Sequence, residues 1–151
     1  MQFRCVLLGD GSAQAQVEAE RARLGLEDLV LMPGAAEQDE VRDWLRCSAV
    51  CVLSSDSEGM PVSLMEAAAC GLPAVATAVG GVPEQILDGV TGFVVPPRNP
   101  AVLADALATL LADARLRTRL GEAARADAQR RFSIGHQIDR MMDVWQRMLA
   151  Q

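Results

Sequence analysis

Through residue 95 the chain alternates short apolar runs with longer amphipathic stretches, and this alternation leaves few folds open to it. The apolar runs are Phe3–Leu8, Leu29–Met32, Val50–Leu53, Ala74–Ala76 and Phe93–Val95. Each is continuous rather than alternately apolar and polar, the pattern of a strand buried on both faces. Between them, helical periodicity covers about Ala13–Leu24, Gln38–Cys47, Val62–Cys70 and the short Val82–Leu87. Strand–helix–strand order repeated in this way requires parallel pairing with right-handed crossovers. The expected fold is therefore α/β, a Rossmann-like doubly wound parallel sheet of about five strands.

Glycine and proline mark the boundaries. Gly25 and Gly71 stand where a left-handed helix stop is wanted, and Pro61, Pro83 and Pro100 stand at helix starts, where a missing N–H costs nothing. From about residue 100 to 151 the pattern is wholly helical. Leu103, Leu107, Leu110 and Leu111 form one stripe, Leu116 and Leu120 a second, and Ile134, Ile138, Met141, Trp145 and Met148 a third. With no repeat, linker or low-complexity tract, the 151 residues read as a single domain.

Charge excludes several functions. Fourteen basic residues, all arginine, face 20 acidic ones, for a net charge of −6. Without a basic block, nucleic acid is not expected as a partner, nor is a polybasic membrane anchor. The apolar runs are far shorter than the roughly 20 residues of a transmembrane helix, and the opening segment does not resemble a signal peptide. The expected location is cytoplasmic, with a peripheral place at the inner membrane face left open for a complete enzyme. Cys5, Cys47, Cys51 and Cys70 contain no Cys-x-x-Cys pair, and the one histidine, His136, is remote from them, so reduced core cysteines are expected rather than zinc or disulfides.

In an open parallel sheet, ligands bind beyond the carboxyl ends of the strands. Three loops lie there. Gly9-Asp10-Gly11 begins like a dinucleotide fingerprint, but Gln14 holds its last glycine position, and Glu27 and Asp28 precede the second strand instead of ending it. The two glycines read as a tight turn near a ligand or a neighbouring segment. The second loop, Ser54–Pro61, carries Asp56 and Glu58, while Gly59 and Pro61 delay the helix that contains Glu66. One carboxylate lies before the helix and the other about one and a half turns inside it, with the open amides of the first turn between them. A carboxylate offers paired acceptors to the vicinal hydroxyls of a ribose or hexose. Solvated surface roles for Glu58 and Glu66 are the plainer alternative. The third loop, Thr77–Glu84, has the pair Gly80-Gly81 ahead of a short helix, where Glu84 reads as a first-turn acid or a crevice residue. His136 reads as an exposed helix start, and Arg130 and Arg131 as cations answering a helix dipole.

Glu58–Pro73, EGMPVSLMEAAACGLP, resembles the E-x7-E signature of family 4 retaining glycosyltransferases. VLLGDG at Val6–Gly11, LVLMPG at Leu29–Gly34, CVLSSDSEG at Cys51–Gly59 and PAVATAVGGVPEQILDGVTGFVVPP at Pro73–Pro97 stand in that family's order. The resemblance implies half of a GT-B architecture, the carboxyl-terminal domain that binds a nucleoside-diphosphate hexose, with no metal and no cofactor. It implies that Glu66 holds the ribose, and that Glu58, the catalytic position, contacts the transferred sugar. Backbone amides around Gly59, Met60, Pro61 and Val62 cradle sugar or diphosphate, Met32, Pro33 and Gly34 line the base, and Gly9 and Gly11 lie in the adjoining turn.

Two departures follow from the resemblance. Its diphosphate-gripping arginine and lysine lie upstream of VLLGDG, and this chain contains no lysine. The first strand of that domain and the acceptor domain are expected to be missing, so the first and third strands here should leave a gap or pair directly. The expected function is donor binding by a retaining hexosyltransferase domain without efficient turnover alone. The alternatives are a non-catalytic nucleotide-sugar module completed by a partner chain, or an inactive remnant. The last apolar stripe reads as core; in the resemblance the last helix reaches toward the other domain, which would leave its face partly bare and prone to self-association.

Overall fold

The structure is a computed structural model and describes residues 3–149, so the outermost residues of the expected single domain lie outside it. Two compact units divide the chain, Met1–Trp44 and Leu45–Gln151.

In the first unit, β1 (Cys5–Leu8) pairs in parallel with β2 (Val30–Gly34), with Cys5 opposite Val30 and an irregularity between Val6 and Leu8. The crossover is α1 (Gln14–Arg23). Gly25, at φ 64°, takes the left-handed turn that ends it, and Arg21 reaches back to donate to the Val30 carbonyl at 3.1 Å. Helix α2 (Gln38–Cys47) begins in this unit and has the bounds its periodicity predicts.

In the second unit, β3 (Cys51–Leu53), β4 (Ala74–Thr77) and β5 (Gly92–Val95) form a parallel sheet with β4 central. Helix α3 (Val62–Ala69) and the single turn α4 (Val82–Gln85) cover one face: Leu64, Val82 and Ile86 pack on Ala74 and Ala76. On the other face Val75 and Val95 meet Leu110 of α5 (Pro100–Ala112) and Leu120 of α6 (Ala114–Arg131). The first two leucine stripes are thus core, as their spacing predicts.

The α/β class and the parallel pairing are as expected, with two strands laddered in the first unit and three in the second. Burial also differs. Only β4, bonded on both sides, is buried at every residue, whereas β1, β2 and β3 each have one ladder partner and remain half open, with Leu7 and Val52 exposed.

The four cysteines are free, and Cys51 packs against the core as expected; Cys5 and Cys70 are half-buried, and Cys47 is exposed, which corrects the core reading for that residue. Burial pushes the Cys51 thiol up to about 11 and raises that of Cys5 as well. Because the thiolate is the nucleophile, iodoacetamide at pH 8 is expected to alkylate Cys47 first and Cys51 last. Peptide mapping over a time course checks this, and early modification of Cys51 would contradict its surroundings.

Helix α7 (Ile134–Leu149) carries the third stripe, and that stripe is bare. Ile134 is 79% exposed and Met148 69%, so the core reading of this face is corrected. Among the described residues no helix is long and apolar enough to cross a membrane.

Candidate functional site

In the second unit, β3 stops at Leu53 and the chain runs as a loop to Pro61, the N-cap of α3. Pro61, at φ −64° and ψ 118°, is extended and has no side-chain acceptor, so the first turn of α3 carries no side-chain cap. Val62 and Ser63 are exposed there, while Leu64 and Ala67 anchor the helix in the core. Glu66 lies on the same helix, half-buried, and Glu58 lies half-buried in the loop. Sequence spacing placed both correctly along the chain.

Contacts from the end of β4 shape this loop. Gly81 donates its N–H to the Gly59 carbonyl at 2.7 Å. Gly80, at φ 50°, runs so close to Glu58 that a Cβ there would lie 1.9 Å from the Glu58 carbonyl oxygen, and one on Gly81 would lie 2.7 Å from that of Gly59. Gly80 is therefore required by approach and by conformation, and Gly81 by approach alone. The Thr77 hydroxyl donates to the Ser55 carbonyl at 2.6 Å, and the Ser55 hydroxyl donates to Glu58 Oε1 at 2.6 Å. Buried Gln85 of α4 donates to the Pro61 carbonyl at 3.0 Å. Asp56 pairs with Arg98 at 3.1 Å, both well exposed, a contact of little energy.

Ser55 and Gln85 were not singled out by sequence, and Thr77 and the glycine pair only as parts of a motif. The one available signal was a polar residue, Thr77, ending an otherwise wholly apolar strand.

Glu84 sits exposed in the first turn of α4, whose N-cap is Gly81. Its backbone carbonyl accepts from the Arg131 guanidinium. Arg130 and Arg131 do more than answer a dipole: both pair with Asp127, which is only 7% exposed, at 2.6 and 2.8 Å. His136 opens α7, its N–H donating to Ser133 Oγ at 3.3 Å, as a helix start should. A small cavity behind α3 is lined by Leu64, Gln85, Ile86, Ala124 and Asp127 among others, and contains neither Glu58 nor Glu66.

In the first unit, Gly9 and the end of β2 come together, the Gly9 N–H donating to the Gly34 carbonyl at 2.8 Å. Met32 and Gly34 are half-buried and Pro33 is exposed. Gly9 takes φ 120°, open to glycine, yet a Cβ at Gly9 or Gly11 would meet nothing within 4 Å. The tight turn is as expected; of the two approaches expected of it, by a ligand or by a neighbouring segment, no neighbouring segment crowds either glycine among the described residues.

Residues 1–127 match the family model described as "Glycosyl transferases group 1". A D-inositol 3-phosphate glycosyltransferase of Xylanimonas cellulosilytica is 38% identical over 148 residues, 95% of this chain and 35% of that protein. The chain thus spans about a third of the length of that relative. A sucrose-phosphate synthase from Thermosynechococcus elongatus superposes with a TM-score of 0.87 at 27% identity, over 96% of this chain and 38% of that one. An Anabaena protein solved in complex with UDP-glucose gives 0.83 at 27% identity, over 93% and 41%.

Proposed function

The chain belongs to the glycosyl transferases group 1 family, and from that premise we propose that it is the donor-binding half of a retaining glycosyltransferase. The substrate class is a nucleoside-diphosphate hexose, and the reaction moves the hexose to an acceptor hydroxyl. The observation that carries this reading is the Glu58–Pro61 loop, held over the uncapped start of α3 by Thr77, Gly80, Gly81 and Gln85. A loop fixed this closely beside open amides and two half-buried carboxylates suits a ligand rich in hydroxyls and carrying a diphosphate.

In this reading Glu66 accepts from the ribose hydroxyls and Glu58 from those of the hexose. Amides at Gly59, Met60 and Val62 face the diphosphate. As the bond to the leaving diphosphate breaks, positive charge grows on the sugar ring and negative charge on the phosphate oxygens. The carboxylate of Glu58 favours the first and fixed N–H donors the second, so both stabilise the transition state more than the ground state. Acceptor recognition falls to residues beyond this chain, and donor binding without efficient turnover is the activity expected of it alone.

Since the Anabaena neighbour holds UDP-glucose, uridine diphosphate and UDP-glucose are the first ligands to titrate calorimetrically, followed by the guanosine and adenosine diphosphates. Glu66→Ala removes a charged acceptor and is expected to weaken nucleotide binding by about tenfold or more. No binding of any of these nucleotides, or an unchanged Kd in Glu66→Ala, would overturn the assignment.

A further inference from the structure

A glutamate in a loop carries three rotatable side-chain torsions, and a ligand that meets it must stop that motion. Glu58 is already stopped. Its Oε1 accepts the Ser55 hydroxyl at 2.6 Å, a short contact of the kind made between a hydroxyl and a carboxylate. A serine hydroxyl has a single proton, and Ser55 spends it on Glu58. Oε2 and the second lone pair of Oε1 are left to accept from a ligand, in an orientation set in advance.

Ser55 is itself fixed. Its carbonyl accepts at 2.6 Å from Thr77 Oγ1, the last residue of β4 and a buried one. The same oxygen lies 3.5 Å from the Leu53 carbonyl, but one proton serves one short bond, and Ser55 takes it. The backbone of Glu58 is backed by Gly80, and the next carbonyl, that of Gly59, accepts from Gly81. Strand β4 therefore governs both the main chain and, through Ser55, the carboxylate of Glu58.

We infer that Ser55 is a positioning residue, holding the Glu58 carboxylate in the orientation that receives the hydroxyls of the donor sugar, with Thr77 fixing Ser55 in turn. The inference rests on the nucleotide-sugar reading above. It distinguishes between two parts of one ligand: Ser55 acts on the sugar through Glu58 and has no part in holding the nucleotide.

The test measures Kd for UDP and for UDP-glucose on the 151-residue chain and its variants. Ser55→Ala is expected to raise the Kd for UDP-glucose about tenfold and to change that for UDP less than twofold. Glu58→Gln is expected to show the same selective loss, and Ser55→Thr, which keeps the hydroxyl, to restore wild-type values. Thr77→Ser should also stay near wild type. Thermal melts accompany each variant, because a merely structural role weakens both ligands together. Binding of neither ligand by the wild-type chain sinks the nucleotide-sugar reading, and the Ser55 role with it. If both bind, but Ser55→Ala weakens them equally or leaves both unchanged, the reading stands and the Ser55 assignment falls. An unaltered Kd for UDP-glucose in Glu58→Gln overturns the assignment too.

Discussion

Gly80→Ala is expected to lower UDP-glucose affinity by about a hundredfold or more and to cost about 3 kcal/mol of stability. Two terms act together. At φ 50° the backbone is left-handed, which costs a residue with a Cβ about 1–2 kcal/mol. The added methyl would also stand 1.9 Å from the Glu58 carbonyl oxygen and 2.8 Å from its carbon, both main-chain atoms that no rotamer change can move aside. To reach an ordinary contact distance the loop must retreat by about 1 Å. A retreat of that size takes Glu58 and Gly59 away from the geometry set by Thr77 and Gly81, and losing two ligand hydrogen bonds of about tenfold each gives a loss of about a hundredfold. Calorimetric titration with UDP-glucose and a urea unfolding curve measure the two parts. Wild-type values for both would mean that the loop is softer than its contacts imply.

How much of this was legible in sequence depends on whether the cause is local. Helix α2 runs from Gln38 to Cys47 and α3 starts at Val62, as their patterns predict, because periodicity, Gly59 and Pro61 act within a few residues. The order of Glu58 and Glu66 along the chain was readable for the same reason. The Ser55–Thr77 bond was not. It joins residues 22 apart and exists because β3 pairs with β4 in a register that sets Leu53 opposite Ala76. Apolar composition encodes that register only weakly, since Cys51, Val52, Leu53, Ala74, Val75 and Ala76 are all apolar and Thr77 alone distinguishes one alignment from the next.

Asp127 was hidden differently. In ARADAQRR nothing marks the acid as buried; it faces the cavity behind α3, and Arg130 and Arg131, three and four residues on, pair with it there. Strand exposure was misread because a continuous apolar run says that a strand suits burial on both faces, not that both faces are covered. Val52 on β3 has the composition of a core residue and is exposed, as edge position allows. The stripe on α7 follows the same logic: helical spacing describes the face, and only coordinates say what lies against it.

The case where sequence and structure predict opposite signs is Gly121, inside α6. Helix propensity alone says that Gly121→Ala should stabilise, by up to about 1 kcal/mol. The packing says otherwise. Gly121 is buried against the turn after α3, and a Cβ there would fall 2.1 Å from the Gly71 carbonyl oxygen and 3.3 Å from Pro73 Cδ. Gly71 cannot easily give way, since it holds φ 79° to end α3, and Pro73, fully buried, leads directly into β4. Helix α6 would have to move outward by about 1 Å, opening the contacts of Leu120 and Ala124 on either side, and overpacking of this kind costs about 1–3 kcal/mol or more. The expected net result is a loss of about 2 kcal/mol despite the gain in propensity. Because no hydrogen bond joins α6 to the Ser54–Pro61 loop among the described residues, the loss of UDP-glucose affinity in the folded variant should be far smaller than in Gly80→Ala. Urea unfolding decides the sign: a Gly121→Ala chain more stable than the parent would mean that α3 and α6 are not locked through Gly71.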